Sequence, residues 1–266
     1  MATPLENAVG IGDVYSMKDW LEDLRVAVTF LTRVPIPHSD GVVNVPRAMR
    51  AFPLVAAAIG LVVGLVLLGL LRLGVPALAS AALALGASAL LTGALHEDGL
   101  GDIADGFGGG RDQAAKLEIM RDSRLGTYGT LALLISFAAK LAALAALPPA
   151  SIIPGLIATH ALARCLLPAM VVMLPPARSD GLSATAGAPD QATAITAAAL
   201  GFVIALMCLP WGTGLRAILV TIVVASVMGW LARRQIGGHT GDVLGGTEQV
   251  SETLILVLLA TLLTSS

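Results

Sequence analysis

The sequence predicts an all-α, polytopic integral membrane bundle of about six or seven transmembrane helices with an N-terminal interfacial helix, and three observations predict it. Of 266 residues, 56% are hydrophobic and 13% charged, whereas a soluble domain carries about 25% charged residues. Apolar stretches near the roughly 20 residues that cross a bilayer recur from Phe52 to the C-terminus, dominated by Leu, Ala and Val. The charged residues collect in the segments between alternate stretches. One membrane-embedded domain over 1–266 accounts for this pattern, with 1–52 as its cytoplasmic or interfacial N-terminal segment.

The elements follow in order. Met1 to Asp19 is polar, with no basic-then-apolar start, so it is not expected to be a cleaved secretory signal. Between Trp20 and Val34, Glu22, Asp23, Arg25 and Arg33 alternate with Leu21, Leu24, Val28 and Phe30, and Pro35-Ile36-Pro37 stops the run. That pattern suits a helix lying in the interface. Spans are predicted at 53–71, 77–95, 127–147, 152–174, 191–210 and 215–232, with a short, marginal one at 252–265. Cys165 and Cys208 both fall in apolar stretches, far from any paired metal or redox spacing, and read as small buried hydrophobes.

Orientation follows from the basic residues, in which cytoplasmic loops are enriched. Lys18, Arg25, Arg33, Arg47, Arg50, Arg111, Lys116, Arg121, Arg124, Arg178, Arg233 and Arg234 fall on one side, and only Arg72 and Arg216 on the other. Lys140 and Arg164 lie within spans. The N-terminus and the 96–126, 175–190 and 233–251 segments are therefore expected in the cytoplasm. None of the 18 Asp and Glu residues falls in the short opposite-side turns. Insertion does not require acids to follow the basic residues, so their clustering asks for a functional reason. A net charge of −2 and the absence of a concentrated basic surface exclude nucleic acid as a partner.

The richest stretch is His96-Glu97-Asp98-Gly99-Leu100-Gly101-Asp102-Ile103-Ala104-Asp105-Gly106, followed by Phe107-Gly108-Gly109-Gly110-Arg111. On a helix Asp98, Asp102 and Asp105 stack along one face, where they repel one another unless a cation joins them. Gly99, Gly101 and Gly106 allow a backbone or a phosphate to come close. In Lys116 to Gly129, Asp122 can add a hard oxygen ligand, and Arg121 and Arg124 can reach anions. Asp98, Asp102, Asp105 and Asp122 together make a candidate Mg²⁺ site with positions left for substrate phosphates. Arg111, Arg121 and Arg124 are the candidate phosphate contacts. The third stretch, Gln235 to Glu248, offers glycines, Thr240 and Asp242 to cradle a phosphate and add a carboxylate. His160 and Arg164 lie one helical turn apart within a span, and Arg164 is the better candidate for lining a deep cavity; Lys140 can snorkel.

These residues bring a family into view. Phe30-Leu31-Thr32-Arg33-Val34-Pro35-Ile36-Pro37, Phe52-Pro53-Leu54-Val55, His96–Gly110, Leu117–Gly129, Arg178 with Gly181-Leu182, and Gly238–Gly245 occur in the order found in cobalamin-5′-phosphate synthases, also called adenosylcobinamide-GDP ribazoletransferases, and the chain resembles that family over nearly its whole length. Gly101 and Ile103 stand where many relatives have Ala and Thr, without loss of a carboxylate. The resemblance implies a Mg²⁺-dependent transferase of the bacterial inner membrane, its active site facing the cytoplasm. Adenosylcobinamide-GDP and α-ribazole, or its 5′-phosphate, would yield adenosylcobalamin, or its 5′-phosphate, and GMP, late in cobalamin (vitamin B12) biosynthesis. Arg178 would bind substrate, and His96 or a carboxylate would accept the hydroxyl proton. The lipid bilayer is the other expected partner, and a homo-oligomer is compatible with the sequence. Two rivals are a CDP-alcohol phosphotransferase, whose aspartate spacing is only partly matched, and an ion-coupled transporter, which would place its charges along a midplane pathway.

Overall fold

Ser16 starts the first helix, α1 (Met17–Leu31), through a capping box: its side chain accepts from the Asp19 amide while Asp19 accepts from the Ser16 amide. The computed structural model describes residues 16–37, 43–178 and 187–263. Gly181-Leu182, the first fifteen residues and the end of the marginal 252–265 span lie outside them. α1 is the expected interfacial helix, begun three residues earlier, and it is tied to the bundle by more than its apolar face. Asp23, 1% exposed, accepts from Arg47 Nε at 2.9 Å and from the fully buried Arg50 Nε at 2.6 Å. Arg50 also lies over the Trp20 ring at 4.2 Å. Both arginines come from the stretch that leads into the bundle, α2 (Val45–Ala48) and the 3₁₀ turn Met49–Ala51.

The bundle proper comprises α3 (Phe52–Arg72), α4 (Ala77–Thr92), α5 (Leu95–Gly109), α6 (Gln113–Ile119), α7 (Thr127–Ala146), α8 (Pro149–Cys165), α9 (Leu167–Met173), α10 (Gln191–Cys208), α11 (Trp211–Ile236) and α12 (Gly241–Leu263). Among the described residues six helices are long and apolar enough to cross a membrane, and a seventh crossing is formed if α4 and α5 are taken as one broken span. This is the predicted polytopic helical bundle. Small residues let its helices close on one another, as expected where lipid gives no hydrophobic drive for helix association. A Cβ at Gly60 would lie 2.3 Å from the Leu156 carbonyl oxygen, and one at Gly64 would lie 3.3 Å from Ile153 Cα, so α3 and α8 meet backbone to backbone.

Two boundaries differ from the sequence reading. The predicted 77–95 span stops at Thr92, where Gly93 (φ 69°) and Ala94 (φ 55°) adopt left-handed backbone and turn the chain by 93° into α5. The 96–126 segment, expected as a loop, thus opens with a helix packed against α7 and α12. The last helix also begins at Gly241 rather than 252. Thr240 caps it by accepting from the Val243 amide at 3.2 Å, and Glu248, Gln249 and Glu252 are buried among partners, so hydropathy alone misjudges its first half.

The segments between spans are stitched together on one side. The Ala177 amide donates to the His239 carbonyl and the His239 amide to the Pro175 carbonyl, each at 2.9 Å, in an isolated parallel bridge. Gln113 donates to the Ile236 carbonyl at 2.8 Å, and Lys116 donates to Gln235. Stretches far apart in sequence are therefore neighbours in space.

Candidate functional site

α5 carries its polar residues on two faces, and each face meets a different environment. Asp98 and Asp102, one turn apart, look toward the start of α12. The approach of the two helices is as close as backbones allow, since a Cβ at Gly99 would lie 2.8 Å from the Asp242 carbonyl oxygen and 3.1 Å from its Cα. Asp102 consequently feels the like charges of Asp98, Asp242 and Asp105 and the opposite charge of Arg178. Asp242 accepts from Thr240 Oγ1 at 3.1 Å and from Arg178 at 3.5 Å. Carboxylates so placed repel one another and present hard oxygens toward the edge of a cavity.

Asp105, on the same helix, has a different task. Its oxygens accept from the Gly126 amide at 2.7 Å and the Gly129 amide at 2.9 Å. These are amides that the first turn of α7 leaves without helical partners, so Asp105 fixes the start of α7 against α5. Asp122 lies outside the cavity described below, paired with the exposed Arg124 at 2.5 Å; those hydrogen bonds hold its carboxyl below the usual carboxylate range.

A cavity of about 400 Å³ opens beside Asp98. One end is polar, lined by His96, Asp98, Arg178, His239, Thr240 and Asp242. The other is apolar, walled by Phe30, Met49, Phe52, Leu167 and Val171. Phe30 and Phe52 stack with ring centroids 5.5 Å apart. The site thus unites residues from six separate stretches. Arg111, Arg121 and Arg124 do not line it and sit on exposed surface of the 110–126 segment. Asp102 also lies beyond the lining, on the same helix face as Asp98.

The opposite face of α5 looks into the bundle, where His96 and Glu97 join a buried network on α7, α8 and α12. Lys140 Nζ donates to Gln249 at 2.7 Å and to Glu252 at 3.2 Å. Arg164 pairs with Glu248 at 2.8 Å; the contact is ionic, its alignment outside that of a hydrogen bond. Arg164 also donates to Nδ1 of His160 at 3.2 Å and Nδ1 of His96 at 3.4 Å. A guanidinium has no acceptor, so both imidazoles carry their proton on Nε2. His96 then offers a donor rather than a base while Arg164 holds its other nitrogen. The donor atoms of His160, Glu248 and Glu252 lie within 4.8 Å of one another, as metal ligands do. Lys140 and Arg164 already pair with these two glutamates.

Sequence reasoning singled out Lys140, His160 and Arg164 within spans but not their partners, Glu248 and Glu252. Both glutamates were assigned to a loop or its edge, and their spacing of one helical turn was the signal available. Arg164, expected in a deep cavity, is instead 1% exposed and joined through its two terminal nitrogens to the network.

The profile of the family described as cobalamin-5-phosphate synthase matches residues 23–260. An adenosylcobinamide-GDP ribazoletransferase of Bradyrhizobium diazoefficiens is 44% identical over 250 residues, covering 92% of this chain and 95% of that relative. Relatives of the same name in Sinorhizobium medicae and Rhizobium meliloti are each 42% identical, covering 92% of this chain and 98% of the relative. No solved structure matches the chain.

Proposed function

The chain belongs to the cobalamin-5-phosphate synthase family, and from that membership we propose that it joins adenosylcobinamide-GDP to α-ribazole, or its 5′-phosphate, with release of GMP. A ribose hydroxyl of the acceptor attacks the phosphorus attached to cobinamide; the new O–P bond forms as the bond to the departing GMP breaks. The single observation that carries this reading is the cavity's polar end, where Asp98 from α5, Asp242 from α12 and Arg178 converge from distant parts of the sequence. Arg178 offers a planar cationic fork for a phosphate, and Thr240 a hydroxyl donor. With His96 held in the Nε2–H form, the hydroxyl proton passes to a carboxylate, Asp98 or Asp242.

The donor chemistry suits Mg²⁺, because Asp98, Asp102 and Asp242 present hard oxygens beside the Arg178 guanidinium, and those oxygens, which stand too far apart in this structure to share one ion, would draw together around it. Those three residues would hold the ion, and bound there it would neutralise charge developing on the leaving phosphate. Asp105 stays with α7, and Asp122 with Arg124. The basic residues gathered in the segments that carry the site support a cytoplasmic face of the inner membrane.

The decisive assay uses purified protein in lipid nanodiscs. GMP is expected only when adenosylcobinamide-GDP, α-ribazole and Mg²⁺ are present together. Release of CMP from a CDP-alcohol, or solute flux without nucleotide turnover, would replace this reading.

A further inference from the structure

We propose that the apolar end of the cavity between α1, the Met49 turn and α9 binds the benzimidazole ring of the ribazole acceptor, while the corrinoid donor stays outside its mouth. The inference rests on the transferase reading and adds which substrate occupies which space.

Size excludes the corrinoid from the interior. At about 400 Å³ the cavity lies near the lower end of the roughly 300–1,000 Å³ typical of pockets that enclose a small organic ligand. An aromatic base with one sugar matches that space; a corrin macrocycle with its nucleotide arm exceeds it severalfold. Chemistry then separates the two bases in the reaction. Guanine carries polar groups around its rim, and burying them against Phe52, Leu167 and Val171 would leave them without partners, at a cost of about 1–3 kcal/mol each. A dimethylated benzimidazole carries methyl groups on that rim, which gain from the same wall. The Phe30–Phe52 pair, stacked at 5.5 Å with an interplanar angle of 19°, offers an aromatic surface against which a flat ring can pack in offset or edge-on fashion.

The polar end fixes the direction of the ligand. With its base against Phe52 and Val171, the ribose lies toward Asp98, Thr240 and Asp242, which line the same cavity. Its hydroxyl is then beside the carboxylates that accept its proton, and a 5′-phosphate can reach Arg178. The donor's diphosphate approaches from the mouth and meets the hydroxyl there.

The test narrows the apolar end without touching the carboxylates. Val171→Phe in nanodiscs is expected to raise KM for α-ribazole about tenfold, with kcat and the KM for adenosylcobinamide-GDP little changed, the pattern of lost uniform binding. Equilibrium binding of radiolabelled α-ribazole, measured without the donor, should weaken in parallel. A raised KM for adenosylcobinamide-GDP with α-ribazole unaffected would overturn the proposal, as would a folded variant in which neither changes, the result if lipid fills the space. If Val171→Phe does not fold, V171C serves: α-ribazole should shield its new thiol from a small methanethiosulfonate reagent and adenosylcobinamide-GDP should not. Absence of shielding by α-ribazole overturns the proposal. Should wild type release no GMP with any substrate mixture, the transferase reading fails, while binding of α-ribazole and its loss in V171F still decide the cavity's occupant.

Discussion

Two carboxylate clusters lie on opposite faces of α5, and they differ in how their charge is met. In the inner one, Glu248 and Glu252 each have a cation of their own, Arg164 at 2.8 Å and Lys140 at 3.2 Å, supplied by α8 and α7. In the outer one, Asp98, Asp102 and Asp242 share, among the described residues, the guanidinium of Arg178, at 3.5 Å from Asp242. The protein thus gives each of two buried glutamates its own cation, while the three aspartates at the cavity have one between them among the described residues. The contrast separates acids that hold helices together from acids that await a ligand, and it can be broken by substitution.

The largest effect is expected on the outer side. Asp102→Asn should lower GMP release about a thousandfold, the upper range for loss of one electrostatic contact to a developing charge. The thermal unfolding midpoint should hold or rise, because a like charge leaves a repulsive group. An active D102N enzyme, or one that fails to insert, would place Asp102 with the structural acids instead.

The inner side should respond in the opposite sense. Glu252→Gln leaves Lys140 buried without its counter-ion and should cost about 3 kcal/mol of stability in a denaturation experiment. The paired change Lys140→Met with Glu252→Met removes both charges together and should cost markedly less, since an apolar pair of similar volume needs no desolvation offset. If the single and double variants unfold alike, the two residues are not coupled.

These outcomes bear on what the sequence made legible. The bundle could be read because lipid demands long apolar helices, and the outer aspartates because a helical period puts Asp98 and Asp102 on one face. The inner network could not. Glu248 and Glu252 count as solvent-seeking in any hydropathy window, and the groups that reverse that judgement, Lys140, His160 and Arg164, lie on two other helices far away in the chain. The same blindness placed the start of the last helix at 252 instead of Gly241. Asp105 was grouped with the metal ligands on spacing alone, because periodicity places a carboxylate on a face but does not show that the Gly126 and Gly129 amides already claim it.

Asp105 gives an intermediate case that sharpens the division. Asp105→Ala should destabilise by about 1–2 kcal/mol, the scale of losing a side-chain cap at a helix start. Asp105→Asn, which keeps an acceptor oxygen for one amide, should recover about half of that and retain much of the GMP release. Loss of turnover in D105N equal to that in D102N would move Asp105 into the outer cluster.

The smallest effect concerns the bend that lets one helix serve both clusters. α5 can turn His96 and Glu97 inward and Asp98 and Asp102 outward only because the chain swings by 93° after Thr92, and Ala94 is held at φ 55° to do so. Left-handed backbone costs a residue with a Cβ about 1–2 kcal/mol, a penalty glycine does not bear. Ala94→Gly should therefore stabilise slightly, by about 1 kcal/mol or less once glycine's larger loss of freedom on folding is counted, and leave GMP release at the wild-type rate. Ala94→Val adds a branched side chain at the same strained φ and should lower stability and turnover together, because a straighter α4–α5 junction withdraws both faces of α5 at once. If A94V lost stability alone, the outer carboxylates would hold their place without the bend, and the two clusters would be independent of the helix that joins them.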